Sequence, residues 1–268
     1  MSAFTTHFTF EFKTGIRNKT LLLMNYLFPL GFYLMMGFIM PEINPFFREA
    51  MMPAMVTFAI IAATLLGLPD PLVNARETGI FRSYKINGLS ASSILLIPGL
   101  TTGLHIGIVT LLITLTAPWL FDAVAPTNGL YFFAVVVALL LACTGLGVLI
   151  GVVSPSTRMT VMFSQVIFIP SMLLGGLMMP FNVLPEAAQV IAKLLPATHA
   201  MNAFNGLAMG ADAGFSPWAS LLAMVVSGLL AFGLALYLFS WDGKNGRRRG
   251  QPALALLALL PYVATIAL

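Results

Sequence analysis

Charge and cysteine are the two things this chain has least of. Only 8% of its 268 residues are Asp, Glu, Lys or Arg, against roughly 25% in a soluble domain, so a solvated globular surface is excluded. A basic face for nucleic acid is excluded with it, because the net charge of +4 has no polar surface on which to form a patch. The single cysteine, Cys143, lies inside an apolar run, which rules out a disulfide framework and a thiolate metal cluster. The three histidines, His7, His105 and His199, fall in different segments with no HExxH spacing, so a zinc hydrolase has no ligand set. No GxxxxGK[ST] phosphate loop occurs, since Gly243-Lys244 lacks the upstream glycine and is followed by Asn245; the chain does not hydrolyse ATP by itself. No basic, apolar and small-residue sequence of a cleaved signal precedes the first apolar run, which is expected to act as its own targeting signal.

What is present is hydrophobic length. A bilayer core of about 30 Å takes about 20 helical residues, and six runs reach that size: 21–40, 51–68, 92–120, 130–153, 159–179 and 217–241. A seventh, 252–268, is at the short end of the spanning range and is interrupted by Pro261, so its crossing is left open. The loops sort the cations. Lys13, Arg17, Lys19, Arg76, Arg82, Lys85, Arg158, Lys244, Arg247, Arg248 and Arg249 fall on one side, and only Arg48 and Lys193 on the other. The positive-inside rule therefore puts the N-terminus in the cytoplasm.

Three segments are expected not to span. Phe4, Phe8, Phe12 and Ile16 recur four apart, predicting an amphipathic helix over 1–20 in the membrane interface. The loop 69–90 is long and charged, and two readings stand: an ordinary cytoplasmic loop, or a short docking helix over 73–84 that presents Arg76 and Glu77 to a soluble partner. The segment 180–206 is broken by Pro180, Pro185 and Pro196. A helix is predicted from Pro185 to just before Pro196, with Ala188, Ile191, Ala192 and Leu195 as its apolar stripe, re-entrant or packed on the outer half of the bundle.

No acidic residue lies within the six runs, which weighs against an ion-coupled carrier, and no charged ring or carbonyl-filter pattern supports a channel. The polar residues inside runs are Asn25, His105, Ser164 and Gln165, for which an interhelical hydrogen bond is the ordinary role. Gln165, in a run of Phe, Ile and Met that includes Phe168 and Met172, is the best candidate to face a greasy substrate, with Asn25 the other. An integral-membrane lipid enzyme would need clustered carboxylates or histidines, and Glu42, Glu49 and His199 lie on separate loops.

In this order and topology, Arg76-Glu77-Thr78-Gly79 followed by Asn87-Gly88-Leu89-Ser90, and then Pro180-Phe181, Leu184-Pro185 and Leu195-Pro196-Ala197-Thr198, resemble the membrane subunit of type-2 ATP-binding-cassette (ABC) exporters over about residues 1–245. Asn87-Gly88 stands where that family commonly has a proline, and the family typically ends after the sixth span. The resemblance implies an all-α integral membrane protein: an interfacial helix over 1–20, a permease domain over 21–245, and a basic loop with a short apolar segment over 246–268. It implies a non-catalytic permease that pairs with a second copy or homologue and with two cytoplasmic ABC ATPase subunits. ATP and Mg would sit on those partners, with no cofactor in this chain and no nucleic acid. Arg76, Glu77, Thr78, Gly79, Arg82, Lys85 and Arg158 would couple to the ATPase, and the setting would be the cytoplasmic (inner) membrane of a prokaryote.

Overall fold

The computed structural model describes residues 3–44, 47–242 and 250–266; the basic run Lys244, Arg247, Arg248 and Arg249 lies outside them. The described residues are helical with no strand, and six helices are long and apolar enough to cross a membrane: Lys19–Ile43, Phe47–Glu77, Ala91–Phe121, Gly129–Val153, Thr157–Leu174 and Pro217–Leu238. The fifth is shorter than the run 159–179 suggested. It stops at Leu174, and the chain then turns through Gly176, whose φ of 86° only glycine adopts readily.

The core is built around the second span. Residues 51–65 are all buried, and Phe58 has Phe28 and Phe32 of the first span and Phe168 of the fifth around it, at centroid distances of 5.4, 3.9 and 6.2 Å. The fourth and sixth spans touch backbone to backbone. A Cβ on Gly228 would lie 2.7 Å from the Leu141 carbonyl group, and one on Gly145 would lie 2.7 Å from the Gly228 oxygen. Hydrocarbon tails compete equally for apolar side chains, so close approach of small residues is what holds membrane helices together. The fifth span is the opposite case: only 17% of its apolar window is buried, and Met162, Val166, Ile169 and Leu173 form an exposed stripe.

The second and third spans have 31 residues each, about 46 Å of helix, or roughly 16 Å more than the hydrocarbon core. At one end they are pinned level, Val124 donating to the Arg48 carbonyl at 3.2 Å with Asp122 4.0 Å from the Arg48 guanidinium. The opposite end of this pair is here called the hairpin end.

The N-terminal helix forms over Ala3–Arg17, but it does not simply float on the bilayer. It buries His7 and Gly15 against the protein, with His7 against Tyr84 at 5.1 Å and the Phe12 ring stacked on His105 at 4.4 Å. Phe4, Phe10 and Ile16 stay exposed.

At the opposite end, Pro185 precedes the expected helix, Glu186–Ala192, yet Ile191 of its supposed apolar stripe is exposed. The buried helix is the next one, Pro196–Ala203, in which every residue is buried. The helix after Pro185 does stop before Pro196, as expected, and Pro196 also starts the next one, because at the first turn its missing N–H has no bond to lose. His199 anchors it: Nε2–H donates to the Lys193 carbonyl at 2.8 Å, while Nδ1 accepts from Ser220 at 3.2 Å. Asn202 bonds both the Phe215 backbone and Ser220.

The C-terminal segment runs the height of the sixth span. Gly250 sits against Leu238 and Tyr237, Ser227 donates to the Ala258 carbonyl at 2.8 Å, and Tyr262 stacks on His199 at 4.9 Å. Most of it, Pro252–Leu259, is 3-10 helix. At about 2 Å rise per residue, that form covers more height than an α-helix of the same length.

Candidate coupling hairpin

The second span runs on past the apolar run 51–68. After a wide π-helical turn at Ala62–Gly67, it continues as Pro69–Glu77, turns at Thr78-Gly79, and returns as Ile80–Ile86 before the third span begins at Ala91. Gly79 carries φ 80°, the left-handed conformation that the reversal requires and that a Cβ disfavours. The segment expected as one docking helix over 73–84 is thus a helical hairpin on a stalk.

The two arms of the hairpin are bolted to three other elements. Arg76, expected to face a soluble partner, turns inward instead: it is 6% exposed and donates from Nη1 to the Val152 carbonyl at 2.6 Å and from Nη2 to the Ser154 carbonyl. Those carbonyls belong to the last turn of the fourth span, where the helix leaves acceptors without internal donors and carries partial negative charge. A guanidinium matches that geometry, and it is the stalk's packing on the fourth span that turns it in.

On the returning helix, Phe81 is buried against Phe239 at 5.5 Å, Arg82 pairs with Asp242, and Lys85 stands 5.7 Å over the Trp241 ring. All three partners follow the sixth span. The Arg82 pair is partly open to solvent and so contributes at most about 1 kcal/mol; its value is positional. Tyr84 packs on His7 of the N-terminal helix, and its hydroxyl pKa is raised, first by burial and then by the nearby Glu11 carboxylate.

The tip is free of such contacts. Glu77 and Thr78 at the turn are exposed, and so, at the other end of the returning helix, are Asn87 and Ile86, the latter 86% exposed, an uncommon position for a large apolar side chain in a loop. Arg158, the remaining residue assigned to this surface, is exposed at the start of the fifth span, a helix that packs beside the stalk.

The residues assigned to a substrate path are not gathered in one place. Asn25 is buried in a π-helical turn of the first span, beside Gly67. Gln165, Phe168 and Met172 are half-buried on the fifth span, with Phe168 reaching the Phe58 cluster. No residue of the fifth span lines the cavity that Asn25 lines.

Sequence reasoning missed Phe81, Phe239 and Asp242. The one signal for Asp242 was its place as an acidic residue at the head of a basic run, and a charge count by side passes over it.

No curated protein matches the chain significantly. A sequence model of the ABC-2 type transporter family matches residues 2–209, which takes in five of the spans, the hairpin and both helices of the 180–206 segment. With more than three quarters of its length matched, the chain belongs to the ABC-2 type transporter family, as a multi-pass permease subunit of an ABC transporter.

Proposed function

We propose that this permease works as an exporter, driven by separate cytoplasmic ATPase subunits and moving an amphiphilic or hydrophobic substrate outward in partnership with a second permease copy or homologue. The observation that carries the reading is the hairpin. Its exposed tip stands on a stalk that continues the second span, and its arms are tied to the fourth span, the end of the sixth and the N-terminal helix. A displacement applied at the tip is therefore delivered to several spans at once, which is what coupling to a nucleotide-driven partner needs.

In this scheme Glu77, Thr78 and Ile86 meet the ATPase, while Arg76, Arg82 and Lys85 work inside the chain as the transmitting joints, with Gly79 allowing the reversal. The charge distribution of the loops supports a cytoplasmic hairpin end in a prokaryotic inner membrane. The exposed apolar stripe of the fifth span supports contact with lipid or the second permease, and Gln165 beside it supports a role in the substrate path.

The test is a mild-detergent pull-down from native membranes, comparing wild type with Glu77→Lys, a change at an exposed position that leaves folding alone. Capture of an ATPase subunit by wild type and its loss in the variant is the expected result. Equal capture by both chains, or substrate-stimulated ATPase activity undiminished in the variant, removes the tip from the coupling interface.

A further inference from the structure

A cavity of about 280 Å³ lies between the N-terminal helix, the first three spans and the base of the hairpin; at ~30 Å³ per liquid water, that is space for on the order of nine waters. Part of its wall is apolar, with Leu21, Leu68, Leu72 and Phe81, and part is polar, with Glu11, His7, Asn25 and Tyr84. Two of the polar side chains are buried and under-satisfied. Asn25 is 2% exposed and its Oδ1 has no hydrogen-bond partner. His7 is 6% exposed and neither ring nitrogen makes a hydrogen bond, although Nε2 is 3.4 Å from the Glu11 carboxylate. Buried polar atoms are nearly always paired, so the unpartnered Asn25 oxygen, on one wall with a His7 held only by its Glu11 contact, marks a surface suited to a ligand.

The chemistry of the wall selects the ligand. Glu11 is its one carboxylate, and no Lys, Arg or Asp lines the cavity; Lys13 and Arg17 lie on the exposed side of the same helix. The Asn25 oxygen is an acceptor, and the face of Tyr84 is a ring against which a cation rests well. An anionic head would meet Glu11 with no Lys or Arg beside it.

We propose that this cavity binds a primary ammonium group carried on an apolar chain. The ammonium sits against Glu11, donates to Asn25 Oδ1 and lies beside the Tyr84 ring, and the chain runs along Leu21, Leu68, Leu72 and Phe81. Such a head is found both on free amphiphilic amines and on ethanolamine lipids. Occupancy would bridge the N-terminal helix to the hairpin. The site stands independently of any ATPase partner.

The purified full chain is titrated in detergent with dodecylammonium chloride, dodecanol, dioctanoyl phosphatidylethanolamine and dioctanoyl phosphatidylglycerol, with bound ligand read by native mass spectrometry. Wild type is expected to favour the two ammonium probes over the two controls. Glu11→Gln, nearly isosteric, is expected to weaken ammonium binding roughly tenfold to a hundredfold while leaving the controls unchanged. Asn25→Leu, which removes the acceptor and fills space, is the second variant and is expected to lose the same probes. Binding of dodecylammonium alone supports the site with free amines as its ligands; binding of the phosphatidylethanolamine alone supports it with the lipid. The proposal is overturned if neither ammonium probe binds wild type, if the controls bind as tightly, or if both variants bind every probe like wild type.

Discussion

Replacing Arg76 with alanine tests whether the hairpin is joined to the bundle or merely lies on it. The side chain makes two charge-assisted hydrogen bonds to the end of the fourth span, each worth about 1.5–3 kcal/mol when one partner is ionised. Water can reach the freed carbonyls from the hairpin end, so the lower figure applies to both bonds and the expected loss is about 3 kcal/mol. At roughly 2 °C per kcal/mol, the lower limit for chains near this size, the melting midpoint in detergent should fall by about 6 °C. Arg76→Lys keeps the charge but reaches one carbonyl instead of two, and should fall between. Glu77→Ala, one residue along but exposed, is the control and should stay within ~0.5 kcal/mol of wild type. Thermal denaturation followed by size-exclusion chromatography reads all three. If Arg76→Ala melts within a degree of Glu77→Ala, the inward clamp contributes nothing and the stalk is not joined to the fourth span in the way described.

Gly228→Ala should destabilise by about 1–3 kcal/mol by forcing the fourth and sixth spans apart, since its Cβ would lie 2.7 Å from the Leu141 carbonyl group as well as from Leu141 Cγ, and the backbone cannot step aside as a side chain can; the same melting assay reads it. Tyr262→Ala removes a fully buried ring stacked on His199 and should cost about 3–5 kcal/mol, whereas a C-terminal segment that only brushes the bundle predicts no change. Ala264→Cys and Lys85→Cys should label from opposite faces of sealed vesicles with an impermeant maleimide, the native Cys143 being buried and silent. Labelling of both from one face would mean that the C-terminal segment does not run the height of the bundle. Ile86→Asp should reduce ATPase capture in the pull-down while leaving the melting midpoint within a degree.

The six spans and the two-sided charge pattern were legible because both are set by solvent: a bilayer demands length without charge, and cations stay where they were made. The placement of Arg76 was not legible, because counting a cation on one side says nothing of which way its side chain points. That direction is decided by the stalk's packing on the fourth span and by the carbonyls waiting there. Pro196 was read only as a stop, although the same missing N–H suits a first turn equally well, and here it does both. The fifth helix ends early at a stop that the apolar run hides: Gly175 caps it and Gly176 takes the left-handed φ of 86°, with Ala197 packed close by.

The glycine seam between the fourth and sixth spans has a mechanical consequence. With glycine backbone pressed directly on the facing helix, those two helices have little room to slide past each other, and the hairpin grips the end of both. Load entering at the tip thus has a stiff route through a keystone pair, while the sparsely buried fifth span hangs beside it like a panel on a frame. Any opening in this subunit should appear along the panel's edges, with the keystone pair moving as a single piece.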